Sequence, residues 1–168
     1  EAHFDVAPEL EQILTDRGQT ETVKMLQRIG EMTEVVSVRQ KKPLGLGHAV
    51  LCARDLVGDE PFAVMLADDL IDSETPCIRQ LLEIFEETKE TVIALLEVPQ
   101  GEVSSYGVIK GTKVKPRLYQ IEAMVEKPQV KDAPSRMAII GRYILRPEIF
   151  AILDNLPPGK GGEIQLTD

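Results

Sequence analysis

The sequence of 168 residues has no tryptophan, only 4% aromatic residues, two cysteines and two histidines. Cys52 and Cys77 are too few and too widely spaced for a disulfide scaffold or a cysteine-based zinc site. His3 and His48 have no second ligand at metal-binding spacing. No apolar run approaches the roughly 20 residues that cross a bilayer, and no signal-peptide pattern opens the chain. These absences predict a cytoplasmic protein that has reduced thiols and does not act at a membrane.

Basic residues are also in deficit, with 19 Lys and Arg against 28 Asp and Glu, a formal net charge of −9. Because phosphate backbones are bound by a surplus of Lys and Arg, this charge excludes a general nucleic-acid partner. A P-loop and a Ser/His/Asp nucleophile pattern are missing as well. The composition, with 43% apolar and 28% charged residues, is typical of a globular protein. We therefore expect one domain over residues 1–168.

The spacing of apolar residues predicts an α/β fold. Residues from about Pro8 to Ile29 have apolar side chains three and four apart, interrupted by Gly18, which indicates short amphipathic helices. Strands and helices then alternate, which favours a mostly parallel sheet, and the run 61–66 is typical of a strand buried on both faces. The predicted elements are a strand at 32–38, a helix at 48–54, a strand at 61–66, a helix at 76–88 and a strand at 91–98.

After Pro99 the pattern changes to short strands separated by Gly, Pro and Lys loops. This pattern predicts a small antiparallel element added to the α/β layer. We expect strands at 106–109, 117–126 and 137–145, a helix at 147–153, a loop at 157–162 and a further helix from Glu163.

Two loops that follow predicted strands could share one crevice for a ligand. The glycines of the segment 40–47 allow a ligand to approach the backbone, although glycine could serve there only to turn the chain. Asp68 and Asp69 follow a strand, where a carboxylate could hold Mg²⁺ shared with substrate phosphates. The alternative is that one aspartate caps the next turn while the other is solvated.

Two further segments have side chains suited to an anionic, hydroxyl-rich ligand. Glu126 and Lys127 precede Pro128, which disfavours the α region for Lys127, so we expect an extended backbone with the two side chains on opposite sides. A surface turn is the simpler interpretation. Gly141 and Arg142 lie inside an apolar strand, where glycine often marks a close approach, and Arg142 could instead pair with a surface carboxylate.

Taken together, six segments resemble the bacterial UTP–glucose-1-phosphate uridylyltransferases, the UDP-glucose pyrophosphorylases. The match covers essentially the whole chain, in the family's order. The segments include QKKPLGLGHA from Gln40, the strand that ends at Asp69, and the closing GGEIQLTD. Their ranges are 38–53, 58–69, 105–108, 125–128, 138–143 and 157–168.

The resemblance implies a Rossmann-like nucleotide-diphospho-sugar transferase fold, with helices on both faces of the sheet. It implies an Mg²⁺-dependent nucleotidyltransferase that makes UDP-glucose and pyrophosphate from UTP and glucose 1-phosphate. A homo-oligomer is expected. For the nucleotide, the resemblance implies that Gln40 and Gly45 bind the uracil and that Gly107 binds the nucleotide on its sugar side. It implies that Asp68 is catalytic and ligates Mg²⁺. For the sugar phosphate, it implies that Glu126 binds glucose hydroxyls, that Lys127 is catalytic at the phosphate, and that Gly141 and Arg142 line the sugar side.

The sequence also departs from the family pattern. The family's first strand and its G-x-G-T-R loop, which grips the triphosphate, have no counterpart here, and neither has the segment beyond Asp168 that carries a further acidic metal ligand. Ala67 stands where many relatives have proline. We therefore expect an incomplete domain that is inactive or nearly so by itself. The alternatives are thymidylyl or guanylyl transfer, glycosyl transfer, and a non-catalytic fragment that binds nucleotide sugars.

Overall fold

A computed structural model describes residues 7–167 of the chain. Backbone contacts divide the chain into two compact units, residues 1–39 and residues 40–168. Among the described residues, no helix is both long enough and apolar enough to span a bilayer. His3 lies outside the described residues.

The first unit contains the two predicted helices. Helix α1 spans Pro8–Asp16 and helix α2 spans Thr20–Gly30, with Gly18 between them at a φ of +68°. A proline in the first helical turn is favourable because its missing N–H would have no intrahelical acceptor. The two helices contact each other, and the amide of Gln27 donates to Glu11 at 2.8 Å. Neither helix buries a residue completely.

The prediction of a strand at residues 32–38 is wrong. Residues 33–38 have no regular secondary structure, and Met32 and Val36 are 72% and 68% exposed. A strand exists only where another strand satisfies its backbone N–H and C=O groups. Within the described part of the chain, no strand pairs with this segment, so β-branched composition alone does not create one.

The second unit alternates helices and strands close to the predicted positions. The helix predicted from Glu163 is absent among the described residues, because the backbone N–H and C=O of Ile164 bond to Leu44 and Gly47 instead of to a helix ladder. The observed elements are α3 Leu46–Leu51, α4 Arg54–Val57, β1 Phe62–Met65, α5 Cys77–Thr88, β2 Val92–Glu97, a 3₁₀ turn Gln100–Ser105, β3 Gly107–Lys115, β4 Leu118–Glu126, β5 Met137–Leu145, α6 Glu148–Asn155 and a 3₁₀ turn Lys160–Gly162.

Strand β5 is the centre of the sheet. Its residue Ile144 lies opposite both Ala63 of β1 and Val92 of β2, so those two strands occupy opposite edges of β5. Strand β3 joins β5 through Val108 and Ala138 and forms a hairpin with β4. Every recorded pairing is antiparallel, so the mostly parallel sheet was a wrong expectation. β1 and β2 do run in the same direction, but β5 separates them.

The two faces of β5 are covered by different helices, which confirms the expected layers. Because side chains alternate along a strand, Tyr143 and Leu145 pack on the side of α3 and α6, while Ile144 packs with Leu81 of α5. Strand β1 is not buried on both faces as predicted, since Met65 is 63% exposed. The α/β class and the antiparallel hairpin are confirmed.

Replacing Leu153 of α6 by alanine tests the core on the α6 side. Leu153 is 2% exposed and packs in the cluster of Phe150 and Tyr143, so Leu153→Ala should lower the free energy of unfolding by about 2–5 kcal/mol. The neighbouring Ile152 is 57% exposed, and Ile152→Ala should cost under about 0.5 kcal/mol. Urea denaturation measures both, and equal losses would contradict the assigned core.

Candidate functional site

The loop before α3 is organised by the side chain of Gln40. Its Nε2 atom lies 3.0 Å from the carbonyl oxygen of Gly45 and 2.9 Å from Nδ1 of His48. Gly45 precedes the first turn of α3 and has a φ of +95°, a conformation that side-chain-bearing residues rarely adopt. Both residues predicted to bind the base therefore belong to one hydrogen-bonded loop.

The segment Glu163–Thr167 lies along this loop. The N–H of Ile164 donates to the carbonyl of Leu44 at 2.7 Å, and the N–H of Gly47 donates to the carbonyl of Ile164 at 2.8 Å. A Cβ atom on Gly45 would stand 2.6 Å from the Ile164 oxygen. Glycine is thus required at position 45 both for its backbone angle and for the close approach of this segment.

The other end of the same segment reaches the β3–β4 hairpin. The hydroxyl of Thr167 donates to Oε2 of Glu126 at 2.8 Å, and a Cβ on Gly107 would stand 2.8 Å from the Thr167 methyl group. Gly107 and Glu126 are also partners in the strand register. Three residues of chain span at most about 11 Å, so the predicted base-binding loop and the predicted sugar-binding residues lie near each other.

Lys127 does not adopt the extended geometry expected before Pro128. Its φ is +44°, its N–H donates to the carbonyl of Tyr106 at 3.0 Å, and its Nζ lies 3.6 Å from Oε1 of Glu126. The prediction that Glu126 and Lys127 project to opposite sides is therefore wrong. The extra hydrogen bond to Tyr106 bends the backbone at the end of β4, which places the ammonium beside the half-buried carboxylate.

Gly141 and Arg142 of β5 hold the turn that contains the two aspartates. The N–H of Gly141 donates to Oδ2 of Asp69 at 2.8 Å, and the Arg142 guanidinium donates to the backbone carbonyls of Leu66 and Asp69. A Cβ on Gly141 would stand 2.5 Å from Asp69 Oδ2. The contacts of Arg142 are thus to backbone carbonyls, and none to a surface carboxylate is recorded among the described residues. Its predicted place beside the sugar stays a prediction.

The two aspartates have different environments. Asp69 bonds to β5, whereas Asp68 is exposed and has no recorded hydrogen bond or ion pair to residues 7–167. Those residues contain no cluster of three or more potential metal ligands. Mg²⁺ is usually held by one or two carboxylates together with substrate phosphates, so the solvated Asp68 carboxylate fits such an ion as a single protein ligand.

Tyr143 of β5 is a core residue beside the aspartate turn, only 5% exposed and packed in the cluster that includes Leu153. Burial raises the pKa of the Tyr143 phenol, and the negative charges of Asp69 and Glu126 raise it further. With its pKa raised, the phenol stays protonated at neutral pH. Its position two residues after Gly141 puts it on the same face of β5 as that glycine.

Gly45, Gly107, Glu126 and Gly141 thus lie on the α3 and α6 side of the sheet, whereas Arg142 belongs to the opposite face of β5, the face that packs with α5. A shallow groove of about 540 Å³ elsewhere, beside Phe85 and Arg146, includes none of them. Three of its charged residues pair with one another, since Arg146 bonds to Glu90 and Glu148.

The class of protein follows from this fold together with a comparison of sequences. The sequence model of the nucleotidyl transferase family matches residues 7–168. The chain belongs to that family. Its mixed α/β layers, with a glycine-containing loop and an aspartate turn beside the sheet, are consistent with this membership.

Particular relatives within the family are uridylyltransferases. The chain is 47% identical over 168 residues to a UTP–glucose-1-phosphate uridylyltransferase of Bacillus subtilis (strain 168), and it spans 58% of that protein's length. It is similar to the crystal structure of a UDP-glucose pyrophosphorylase complexed with UDP-glucose, with a TM-score of 0.85 and 44% identity over 99% of this chain and 61% of that one. A UTP-bound enzyme of Acinetobacter baumannii matches with a TM-score of 0.86 and 35% identity over 98% and 58%.

Substituting Gly141 tests the packing of the aspartate turn. In Gly141→Ala the new methyl would overlap Asp69 and Leu66, and such overpacking should lower the free energy of unfolding by about 1–3 kcal/mol. Gly101→Ala is the matched control, because a Cβ there has nothing within 4 Å. Thermal unfolding compares the two, and equal stability would show that the turn does not press on β5.

Proposed function

We propose that this chain supplies the uracil, sugar and metal contacts of a UTP–glucose-1-phosphate uridylyltransferase. The 47% identity to a relative of that name supports the proposal. The observation that carries it is the Glu163–Thr167 segment, which contacts Gly45 and Gly47 at one end and Gly107 and Glu126 at the other. Residues expected at the base and residues expected at the hexose are joined through this one segment.

The proposed reaction needs charge neutralisation more than proton transfer. A phosphate oxygen of glucose 1-phosphate attacks the α-phosphorus of UTP, a new P–O bond forms, and the bond to the β-phosphate breaks with release of pyrophosphate. Because the attacking oxygen is already ionised, no general base is required, which agrees with the lack of a Ser/His/Asp arrangement. The difficulty is that two anions must meet in line.

Lys127 and Asp68 would reduce the repulsion between the two anions in different ways. The ammonium of Lys127 would lie against the sugar phosphate, where one ion pair at ~4 Å is worth about 4 kcal/mol at an effective dielectric of 20. Members of this family generally use a divalent metal, and we propose Mg²⁺, held by Asp68. The ion would supply charge stabilisation on the triphosphate. Glu126, held by Thr167, would accept hydrogen bonds from glucose hydroxyls.

Two further proposals concern the oligomeric state and the location of the enzyme. We propose a homo-oligomer in the cytoplasm, in line with the sequence-based prediction. The part of the site that grips the triphosphate in the resembling family would come from segments outside this chain. Catalysis by the 168 residues alone should accordingly be weak or absent, while ligand contacts made by these residues should persist.

Titration with UDP-glucose tests this proposal on the chain itself. In ¹H–¹⁵N NMR spectra recorded with Mg²⁺, UDP-glucose should shift the resonances of Gly45, Gly107, Glu126 and Lys127, because the ligand would contact these residues. ADP-glucose, which differs at the base, should produce smaller changes around Gly45. Shifts confined to other surfaces, or no shifts at millimolar ligand, would contradict the proposal.

Removing the charge of Lys127 tests its role at the phosphate. Lys127→Met keeps the unbranched side chain and should weaken UDP-glucose binding about tenfold or more, since bonds to charged groups contribute about 1.5–3 kcal/mol. Lys113→Met removes the same charge from an exposed position of β3 and is the matched control. NMR titration gives both dissociation constants. Equal weakening in the two variants would argue against a specific contact, and a large fall in unfolding temperature would make Lys127 structural.

A further inference from the structure

The side-chain amide of Gln40 has a defined orientation in the loop before α3. One of its terminal atoms lies 3.0 Å from the carbonyl oxygen of Gly45 and 2.9 Å from Nδ1 of His48. A backbone carbonyl can only accept a hydrogen bond. The amide atom beside Gly45 must therefore be the NH₂ nitrogen, whatever the state of its other neighbour.

This orientation in turn fixes the state of His48. An NH₂ group has two hydrogens and no acceptor capacity, so the imidazole nitrogen that faces it must accept. Nδ1 of His48 is consequently unprotonated, and the proton of the neutral ring lies on Nε2. The thiol of Cys52, the residue that follows α3, lies 3.8 Å from the same Nδ1 and can only add a second, weaker donor.

With both hydrogens of the Gln40 amide bound inside the loop, only its Oε1 atom is left to meet a ligand, and it is purely an acceptor. The N–H of Gly45 has no acceptor among residues 7–167. Gln40 and Gly45 thus offer one acceptor and one donor. Uracil presents the complementary pair, an N3–H donor beside the O4 acceptor, whereas cytosine presents an N3 acceptor beside an N4 donor.

We propose that His48 is a positioning residue for base specificity, because its Nδ1 is the second acceptor, beside the Gly45 carbonyl, that holds the Gln40 amide with its oxygen outward. The inference rests on the proposed function in one respect, namely that the base lies against Gln40 and Gly45. It adds a residue that does not itself touch the base. Thymine presents the same N3–H and O4 groups as uracil, so this arrangement rejects cytosine and leaves the choice between uracil and thymine to other contacts.

The hydrogen bond can be tested without a ligand. The imidazole ¹⁵N resonances of His48 at neutral pH should show an unprotonated Nδ1 and a protonated Nε2. In Gln40→Leu, where the donor is absent, the two tautomers should become mixed. A protonated Nδ1 in the unaltered chain would overturn the inference.

Base selectivity is then compared among three forms of the chain, with UDP-glucose and CDP-glucose as probes. His48→Phe keeps a ring but has no acceptor, and it should reduce the preference for UDP-glucose over CDP-glucose about fivefold, the effect of one ordinary hydrogen bond. His48→Gln restores a side-chain carbonyl and should keep the preference within about twofold. The ratio of the two dissociation constants distinguishes a positioning role from general damage to the loop, because such damage would weaken the binding of both ligands equally.

The outcomes distinguish this inference from the proposed function. If the unaltered chain prefers UDP-glucose and His48→Phe keeps the full preference, the role of His48 is refuted while the proposed function stands. If the unaltered chain shows no preference for UDP-glucose, the proposed function and the specificity role both fail. Reduced selectivity in His48→Phe with retention in His48→Gln supports the inference.

Discussion

The hydrogen bonds on both edges of strand β5 are the constraint on which the second unit depends. β1 and β2 are aligned only because both pair with β5, and α5 and α6 are placed by the two faces of that strand. Gly141 lies in the middle of β5, and its lack of a side chain lets the aspartate turn close against the sheet. One strand thereby fixes both the core and the turn that contains Asp68 and Asp69.

Local pattern was sufficient for most elements, because periodicity reports which face of a segment is buried. It predicted α1, α2, α5 and the strands β2 and β5 close to their observed bounds. It failed where a partner far along the chain decides the outcome. Residues 33–38 have strand composition but no pairing strand among the described residues, and Ile164 bonds to Leu44 instead of starting a helix. The direction of neighbouring strands is likewise a long-range property.

The candidate site was predictable as a set of residues but not as a set of contacts. The family resemblance selected Gln40, Gly45, Gly107 and Glu126, and the structure connects them through a segment whose role no local rule indicates. The backbone at Lys127 was predicted wrongly, because the rule for residues before proline was outweighed by a hydrogen bond across the hairpin. Hydrogen bonds between remote backbone groups therefore account for most of what the sequence left undetermined.

The pairing of Ile164 with Leu44 and Gly47 has a consequence for the order in which the molecule is assembled. The two sides of this contact are 120 residues apart in the sequence, and a ribosome adds about 5–20 residues per second. The glycine loop is therefore translated roughly 6 to 24 seconds before the segment that covers it. Through that interval Gly45 and Gly47 lack the Ile164 backbone that packs against them, so this contact is among the last that the chain can form.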